Sequence, residues 1–346
     1  MKLLDMNPEE LKQYMASIGQ PSFRALQLFQ GFSKGKSIHE ISNVPKQMRE
    51  QLGELGFGGV IIHDKLISKD GTRKYLFMLE DGNIVEGVLM QYKYGNTACI
   101  STQVGCAMGC VFCASTLEGK VRNLAPGEML SQVLCINRDA IESGIGRLTN
   151  IVLMGSGEPL DNFENVLKFF ELVNHPDGIN IGMRNISLST CGLVDKIYLL
   201  AEKRLGITLS ISLHAPNDEI RKQSMPIAKR YSIEQLIDSA RAYVKATGRR
   251  VIFEYTLIKD LNDSADNARE LAGRLKGMQC HVNLIPLNSV KERNLSASNN
   301  DNIKKFEAML VKLGISCSIR REMGSDIAGA CGQLRRRYLK SGGSCV

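Results

Sequence analysis

The chain has 346 residues and a formal net charge of +8, and 43% of its residues are hydrophobic and 23% charged. Its length allows about two domains, and its composition is typical of a soluble globular protein. The apolar runs are too short to span a membrane and the start lacks the apolar core of a signal peptide, so we expect a cytoplasmic protein.

Residues 1–60 predict a small helical module. Asn7 and Pro8 have the chemistry of a helix start, and a further short helix is expected after Pro45. Between them, four hydrophobic residues spaced three apart predict one buried helix face: Phe23, Leu26, Phe29 and Phe32. We place the end of this module near residue 60.

Residues 61–96 predict a β-hairpin bridge, since two apolar stretches flank Asp81-Gly82. Strand-like and helical stretches then alternate through the segment 97–322. The candidate strands are 98–103, 150–155, 185–190, 207–215, 251–258, 281–287 and 316–321. The last segment, 323–346, predicts a loop and a basic tail.

This alternation indicates an α/β fold with parallel strands and right-handed crossovers. Six or so strand–helix units favour a partial or full barrel over a short doubly wound sheet, although periodicity alone does not separate the two. We expect a partial (β/α)6-type barrel. In such barrels the chemistry lies at the carboxyl ends of the strands. Functional residues are therefore expected directly after each candidate strand.

The most informative stretch, CAMGCVFCAS at 106–115, follows the first of these strands and places Cys106, Cys110 and Cys113 within eight positions. A structural zinc site usually has four ligands in two CxxC pairs, and the sequence has no second pair. Electron-transfer iron–sulfur clusters also normally use four thiolates. Three thiolates favour a [4Fe-4S] cluster with one open iron that can bind a substrate. Zinc, or core cysteines without a metal, are the alternatives.

Polar residues at the ends of later strands can bind a ligand. Gly157 lets the backbone approach it closely, and the carboxylate of Glu158 can accept from an ammonium group. Side chains suited to ribose, carboxylate or adenine groups follow other strands: Ser189, Ser212, His214 and Asn288. Each of these signals is weak alone, because a strand-end Ser, His or Glu is more often structural.

The cysteine spacing after a first strand resembles the radical S-adenosylmethionine (SAM) enzymes. Over essentially its whole length the chain also resembles the RlmN/Cfr family of RNA adenosine methyltransferases. The stretches that carry this resemblance are TACISTQVGCAMGCVFCASTLEGKVRNL, IVLMGSGEPLDN, SLSTCGLV, SISLHAPNDEIR, HVNLIPLN and RREMGSDIAGACGQL. The resemblance implies that SAM binds the open iron, and that the N-terminal helices are an accessory helix-hairpin-helix-like RNA-binding module. It assigns to SAM Gly157, Glu158, Ser189, Ser212, His214, Asn288 and the backbone of Leu213.

The resemblance also implies an indirect methyl transfer that uses two SAM molecules per turnover. Cys331 matches the cysteine that carries the methyl group as S-methylcysteine, and Cys99 matches the resolving thiol that then forms a transient disulfide with it. Glu86 matches the residue proposed to accept the C2 proton of the base. An external one-electron donor and a disulfide reductant are implied as partners.

The substrates implied by the family are 23S rRNA, at adenosine 2503, and tRNA, at adenosine 37. GEPL and RREMGSDIAGACGQL are more similar to the RlmN branch, which methylates C2, than to the Cfr branch, which methylates C8. A Cfr-type C8 methylase and a non-catalytic metal-containing RNA-binding protein remain alternatives. We expect a monomer whose basic residues bind RNA phosphates, with these candidates: Arg320, Arg321, Arg335, Arg336, Arg337 and Lys340.

Overall fold

The computed structural model describes residues 2–54, 56–288, 290, 292–334 and 337–338, the last two by their backbone alone. Three helices come first: α1 (Pro8–Ser17), α2 (Phe23–Ser33) and α3 (Lys46–Glu54). The start of α1 is as predicted, since the side chain of Asn7 accepts from the amide of Glu10.

The buried face of α2 differs from the prediction. Phe29 and Phe32 are buried, but Phe23 is 56% exposed and Leu26 is 37% exposed. Ala25 and Leu28 are buried instead. A spacing of three drifts around a helix that has 3.6 residues per turn, so the four aromatic and aliphatic positions do not share one face.

Four antiparallel strands form the bridge: β1 (Ile61–Ile67), β2 (Arg73–Met78), β3 (Asn83–Tyr92) and β4 (Gly95–Cys99). The predicted hairpin is present between β2 and β3, with Gly82 at a positive φ in its turn. Strand β1 was not predicted, and every one of its residues is exposed. The first predicted strand, 98–103, was also too long, since β4 ends at Cys99.

A second, two-stranded sheet frames the cysteine loop, from β5 (Gln103–Gly105) to β6 (Lys120–Asn123). The remaining chain alternates as predicted through α4 (Pro126–Glu142), β7 (Leu148–Leu153), α5 (Phe163–Asn174), β8 (Ile186–Thr190), α6 (Val194–Glu202), β9 (Thr208–Ser212), α7 (Asp218–Ser224), α8 (Ile233–Thr247), β10 (Val251–Leu257), α9 (Ala265–Leu275), β11 (Cys280–Pro286), α10 (Asn300–Lys312) and β12 (Cys317–Ile319).

The main sheet runs β1-β2-β3-β4-β7-β8-β9-β10-β11-β12, and the short β13 (Arg337–Tyr338) pairs with β3. Every neighbouring pair from β4 to β12 is parallel. In the described part of the chain no pairing joins β1 to β12, so the barrel is partial, as predicted. Parallel strands bring their carboxyl ends to one edge, which is where the candidate residues meet.

The N-terminal helices pack into the same hydrophobic core as the barrel. Leu3, Leu11 and Leu28 are fully buried in one cluster with the barrel strands and helices. At the start of α4 the amide of Gly127 donates to Asp5 Oδ1 at 2.9 Å. Among the described residues, no helix combines the length and the apolar character that a membrane crossing requires.

Candidate active site

A cavity of about 910 Å3 opens at the carboxyl ends of the parallel strands. Ten of the thirteen site residues predicted from the sequence line it: Cys106, Cys110, Cys113, Gly157, Glu158, Ser189, Ser212, His214, Asn288 and Cys331. The three others lie outside its lining: Cys99, Leu213 and Glu86. Residues far apart in sequence therefore converge on one site of a size suited to a cofactor.

The cysteine loop between β5 and β6 is held from two sides. On one side, the amide of Val111 donates to the carbonyl of Ser224, the last residue of α7, at 3.0 Å. On the other, the hydroxyl of Thr116 donates to the carbonyls of Cys110 and Cys113. A short hydrogen-bonded loop thus presents all three thiols to the cavity.

Burial raises the pKa of the three loop thiols, to about 12 for Cys106. A bound metal stabilises the thiolate form that such thiols would otherwise not adopt at neutral pH. In the described part of the chain, no three His, Cys, Asp or Glu side chains are placed to hold a single metal ion. A [4Fe-4S] cluster needs a different arrangement, because each thiolate binds a different iron. The donor set fits such a cluster.

The turn after β7 approaches the cavity through Gly157 and Glu158. Gly157 has φ +108°, and a Cβ there would lie 2.6 Å from the side chain of Gln103, so only glycine fits. The buried carboxylate of Glu158 accepts from the amides of Leu160 and Cys191. Burial raises the pKa of Glu158, and these hydrogen bonds act in the opposite direction.

His214 is held in one tautomer. Its Nδ1 accepts from the amide of Thr256 at 2.9 Å, so the ring proton of the neutral imidazole is on Nε2. Burial, together with the charge of Arg221, lowers the pKa of His214 to about 3. The ring packs edge-on against Phe112 of the cysteine loop. His214 is therefore a neutral donor at the cavity wall.

Asn288 links the cavity to the C-terminal loop. Its Nδ2 donates to the carbonyl of Cys331 at 2.9 Å, while its Oδ1 is buried and has no hydrogen-bond partner among the described residues. An unpaired buried acceptor fits a ligand that offers an N–H or O–H group, such as an adenine amine. The backbone of Leu213, which was also predicted to bind SAM, already has partners within the protein. Its amide donates to the carbonyl of Glu254, and its carbonyl accepts from Arg221.

Cys331 also lines a second, adjoining cavity of about 560 Å3, and Cys99 lines that cavity from the other side. Cys99 ends β4 and packs against Leu334 of the C-terminal loop. Both cysteines are free thiols. Burial, reinforced by the charge of the Cys331 thiolate, raises the pKa of Cys99 to about 12. The thiol of Cys99 is therefore protonated at neutral pH.

Arg320 was predicted to bind RNA phosphates, but its side chain is only 22% exposed and turns inward. It lines both cavities, lies 3.5 Å from the carboxylate of Glu254 and contacts the sulfur of Met154. Its neighbour Arg321 is exposed.

Glu86 is fully buried on β3 and is not among the described residues that line either cavity. Its Oε2 lies 2.9 Å from Nζ of the equally buried Lys74, which also donates to the carbonyl of Ala328. A general base must reach the proton that it removes. The role of Glu86 as proton acceptor thus stays a prediction.

Three basic candidates of the tail lie outside the described residues: Arg335, Arg336 and Lys340. For Arg337 only the backbone is described, in β13. Nine of the ten cysteines lie in the described part and all nine are free, as expected of a chain without structural disulfides.

Comparison with known proteins identifies two family models in the chain. The radical SAM superfamily model matches residues 100–272, and a model described as the ribosomal RNA large subunit methyltransferase N-terminal domain matches residues 1–56. A curated relative from Alkaliphilus oremlandii, named a probable dual-specificity RNA methyltransferase RlmN, is 53% identical over 342 residues, which is 98% of each chain. A relative of the same name from Clostridium novyi is 50% identical over 98% of this chain and 99% of its own.

A solved structure has the same fold over nearly the full length. The crystal structure of a radical SAM methyltransferase from Sphaerobacter thermophilus superimposes with a TM-score of 0.94 at 42% sequence identity. The match covers 96% of this chain and 99% of the other.

Proposed function

Since the chain belongs to the RlmN family of radical SAM RNA methyltransferases, we propose that it methylates C2 of an adenosine in 23S rRNA and in tRNA. The methyl group passes through Cys331, and Cys99 releases the product. The target positions are those implied by the family, adenosine 2503 of the rRNA and adenosine 37 of the tRNA.

One observation carries this proposal: Cys331 lines both cavities at once. On one side its neighbours are Cys106, Cys110 and Cys113, and on the other side is Cys99. A thiol in that position can receive a methyl group from SAM in the first cavity. It can also be attacked by the Cys99 thiol from the second cavity, without leaving its loop.

The first step forms a C–S bond. The thiolate of Cys331 attacks the methyl carbon of SAM, the bond from that carbon to the sulfonium sulfur breaks, and S-adenosylhomocysteine leaves. Cys99 is not placed to compete for this methyl group, because it is not among the described residues that line the first cavity. When bound by Cys106, Cys110 and Cys113, the cluster supplies the electron that cleaves a second SAM into methionine and a 5′-deoxyadenosyl radical.

The second half of the reaction transfers the carbon. One hydrogen atom passes from the S-methyl group of Cys331 to the 5′-deoxyadenosyl radical, and the carbon radical that remains adds to C2 of the base. Cys99 then attacks the sulfur of Cys331 as a thiolate, breaks the bond of that sulfur to carbon and forms a disulfide. Between the addition and the release of the base, the C2 proton and the thiol proton of Cys99 are lost, the new methyl carbon gains one proton, and one electron would return to the oxidised cluster. Glu86 is the proposed proton acceptor, and an external reductant restores the two thiols.

The proposed RNA contacts follow from the geometry of the site. The target adenosine must be extruded from its stack to reach a cavity at the barrel mouth. We propose that the RNA phosphates contact the exposed Arg321 beside this mouth and the helical module of residues 1–60. We propose further that the protein acts as a monomer in the cytoplasm, supplied with electrons by a separate donor.

The direct test is anaerobic reconstitution with iron and sulfide, followed by incubation with SAM, a reductant and RNA transcripts containing the target adenosines. Mass spectrometry of the digested RNA should find 2-methyladenosine. Detection of 8-methyladenosine would replace the C2 assignment by the Cfr type. If no methyladenosine forms on a cluster-loaded chain, the enzymatic proposal is wrong.

A first prediction concerns the resolving thiol. In Cys99→Ala the carbon bond between Cys331 and the base forms but cannot be released, so a protein–RNA adduct should accumulate. Denaturing electrophoresis with labelled RNA measures it. The matched control, Cys280→Ala, removes a buried thiol of β11 that lines neither cavity and should give no adduct. Absence of adduct from a folded, cluster-loaded Cys99→Ala chain would contradict the assigned roles.

A further inference from the structure

Arg221 is a fully buried arginine on α7, next to the cysteine loop but outside the lining of the cavity. Two nitrogens of its guanidinium donate to three carbonyls at the ends of β8 and β9. Nε donates to Leu213, and Nη2 donates to Ser212 and to Cys191 at 2.7 Å. The side chain therefore joins two strand ends directly behind the candidate site.

The guanidinium of Arg221 forms no ion pair with any of the described Asp and Glu residues, and among these residues its buried Nη1 has no hydrogen-bond partner. Burial lowers the pKa of Arg221, while Cys191, Cys110 and the carboxylate of Asp218 act in the opposite direction. Asp218 acts through its charge alone, without a direct contact that the structure shows. An unpaired buried guanidinium is costly, and such charges are normally retained only where an anion compensates them.

The candidate anions are the thiols of the cysteine loop, because they are thiolates when they bind a metal. Cys110 packs against Cys191 and Met225, and Met225 follows α7 directly. The carbonyl of Ser224, three residues after Arg221, holds the amide of Val111 in the same loop. The helix that carries Arg221 thus also supports the backbone beside Cys110.

We propose that Arg221 is the buried counter-cation of the iron–sulfur cluster and that its charge raises the reduction potential of the cluster. This inference rests on the proposed function, since it requires a cluster on Cys106, Cys110 and Cys113. With three thiolates the oxidised cluster carries one net negative charge and the reduced cluster two. A fixed cation nearby stabilises the more negative state more strongly, and net charge is one of the factors that set such potentials.

Two substitutions separate charge from hydrogen bonding. Arg221→Gln removes the charge but keeps an amide donor for the carbonyls, whereas Arg221→Lys keeps the charge on a shorter donor set. The matched control is Arg230→Gln, which removes an exposed guanidinium, 67% accessible, from the segment that follows α7. The readouts are iron content per chain and an anaerobic redox titration followed by electron paramagnetic resonance, without SAM or RNA.

In Arg221→Gln the ratio of reduced to oxidised cluster at a fixed potential should fall at least about tenfold, a shift of about 59 mV for a one-electron couple. Arg221→Lys and Arg230→Gln should stay close to the wild-type ratio. If Arg221→Gln retains no iron, the iron content of Arg221→Lys decides. Iron uptake by Arg221→Lys supports the role of the charge. If both variants are folded and neither retains iron, the inference is overturned.

Two other results would overturn the inference. One is an unchanged potential in iron-loaded Arg221→Gln. The other is an equal fall in Arg221→Lys and Arg221→Gln, which would assign the side chain to bracing of the strand ends. A wild-type chain that takes up no iron would instead refute the proposed cluster, and with it this inference.

Discussion

At the scale of single residues, His214 combines a strained backbone with a ring locked by its neighbours. It has φ +54°, a left-handed conformation that is rare for a residue other than glycine. The side-chain amide of Asn262 donates to its carbonyl, and the amide of Thr256 occupies its Nδ1. Such backbone strain persists only where surrounding contacts hold the residue in place, and it is common at functional sites.

The lowered pKa of His214 predicts a pH dependence of stability. Its folded-state pKa is about 3 and its ordinary value is 6.5, so below pH 6.5 the unfolded chain takes up a proton that the folded chain does not. The stability that depends on the neutral imidazole is fully present above pH 6.5. As pH falls from 6.5 toward 3, the free energy of unfolding decreases by up to about 1.4 kcal/mol per pH unit.

Urea unfolding of the wild type and of His214→Gln between about pH 5 and pH 7 measures this slope. The variant should be less stable overall, and its stability should depend less steeply on pH. His63→Gln is the control, because His63 is exposed on β1. Equal slopes in wild type and His214→Gln would show that the imidazole does not make this contribution.

The buried pair of Lys74 and Glu86 allows a structural role to be separated from a catalytic one. Either single substitution, Lys74→Met or Glu86→Leu, removes one charge of this buried pair and should lower the free energy of unfolding by about 3–5 kcal/mol. The double variant removes both charges and should recover most of that stability.

Activity of the double variant then decides the role of Glu86. If Glu86 is the proton acceptor, the double variant folds and accepts the methyl group on Cys331 but forms little 2-methyladenosine. Nucleoside mass spectrometry and mass spectrometry of the protein measure the two steps separately. Wild-type rates in the double variant would assign Glu86 to the fold alone.

At the scale of elements, the C-terminal loop is tied to several parts of the chain. The turn between β1 and β2 holds its start, since the amide of Gly324 donates to the carboxylate of Asp70 and Ser68 donates to Asp326. Farther along, Lys74 donates to the carbonyl of Ala328. These contacts place the loop, and Cys331 with it, over the barrel mouth.

Asp70 gives a test of this placement. Partial burial raises its pKa, but hydrogen bonds from Thr72 and Gly324 outweigh this and leave the pKa at about 2, so the carboxylate is ionised at all working pH values. Asp70→Ala should loosen the loop, which would speed its cleavage by proteases and slow methylation of Cys331 several-fold. Limited proteolysis and protein mass spectrometry measure both.

The control for this test is Asp64→Ala on the exposed strand β1, where the carboxylate accepts only from the amide of its neighbour Lys65. It should change neither the cleavage rate nor the methylation rate. Unchanged rates in Asp70→Ala would mean that the other contacts place the loop without the β1–β2 turn.

Elements differed in how well the sequence predicted them. The parallel strands were found because each has a buried, mostly apolar run bounded by turn residues. Strand β1 was missed because all its residues are exposed, so it has no buried face to produce a two-residue period. It is an edge strand, and its pairing with β2 is decided by backbone hydrogen bonds rather than by side-chain burial.

At the scale of the whole molecule, the N-terminal helices and the barrel share one core. Leu11 of α1 is fully buried in the cluster that also contains Leu188 of β8. Leu11→Ala should lower the free energy of unfolding by about 2–5 kcal/mol. For barrel amides that exchange only when the whole chain unfolds, the free energy of opening measured by hydrogen exchange should fall by the same amount. The control is Leu313→Ala, at a site that is 44% exposed, where the effect should be small.

Exchange of the barrel amides that does not respond to Leu11→Ala would indicate that residues 1–60 unfold separately. In that case the helical module would be an independent accessory unit. A common response would mean that RNA contacts of the module have to be tested by surface substitutions, because its removal would expose the core of the barrel.

The sequence alone determined the features that depend on local spacing and residue type. These include the three thiols of one short loop, the alternation of strands and helices in the barrel from β7 onward, and the strand-end polar residues. They could be predicted because the residue types and the hydrophobic period that mark a loop, a strand or a helix all lie within a few neighbouring positions of the chain. Cys331 and Cys99 were found through the resemblance of their surrounding motifs, not through their spacing.

Only the tertiary structure decided which of these groups meet. It turned Arg320 inward, paired Glu86 with Lys74, and put Cys331 between two cavities. It also placed Arg221 next to the cysteine loop without an ion pair to any described residue. Lys74 and the carbonyl it holds are 254 positions apart. Such contacts depend on how distant segments pack, and no local pattern in the chain encodes the direction in which a single charged side chain will point.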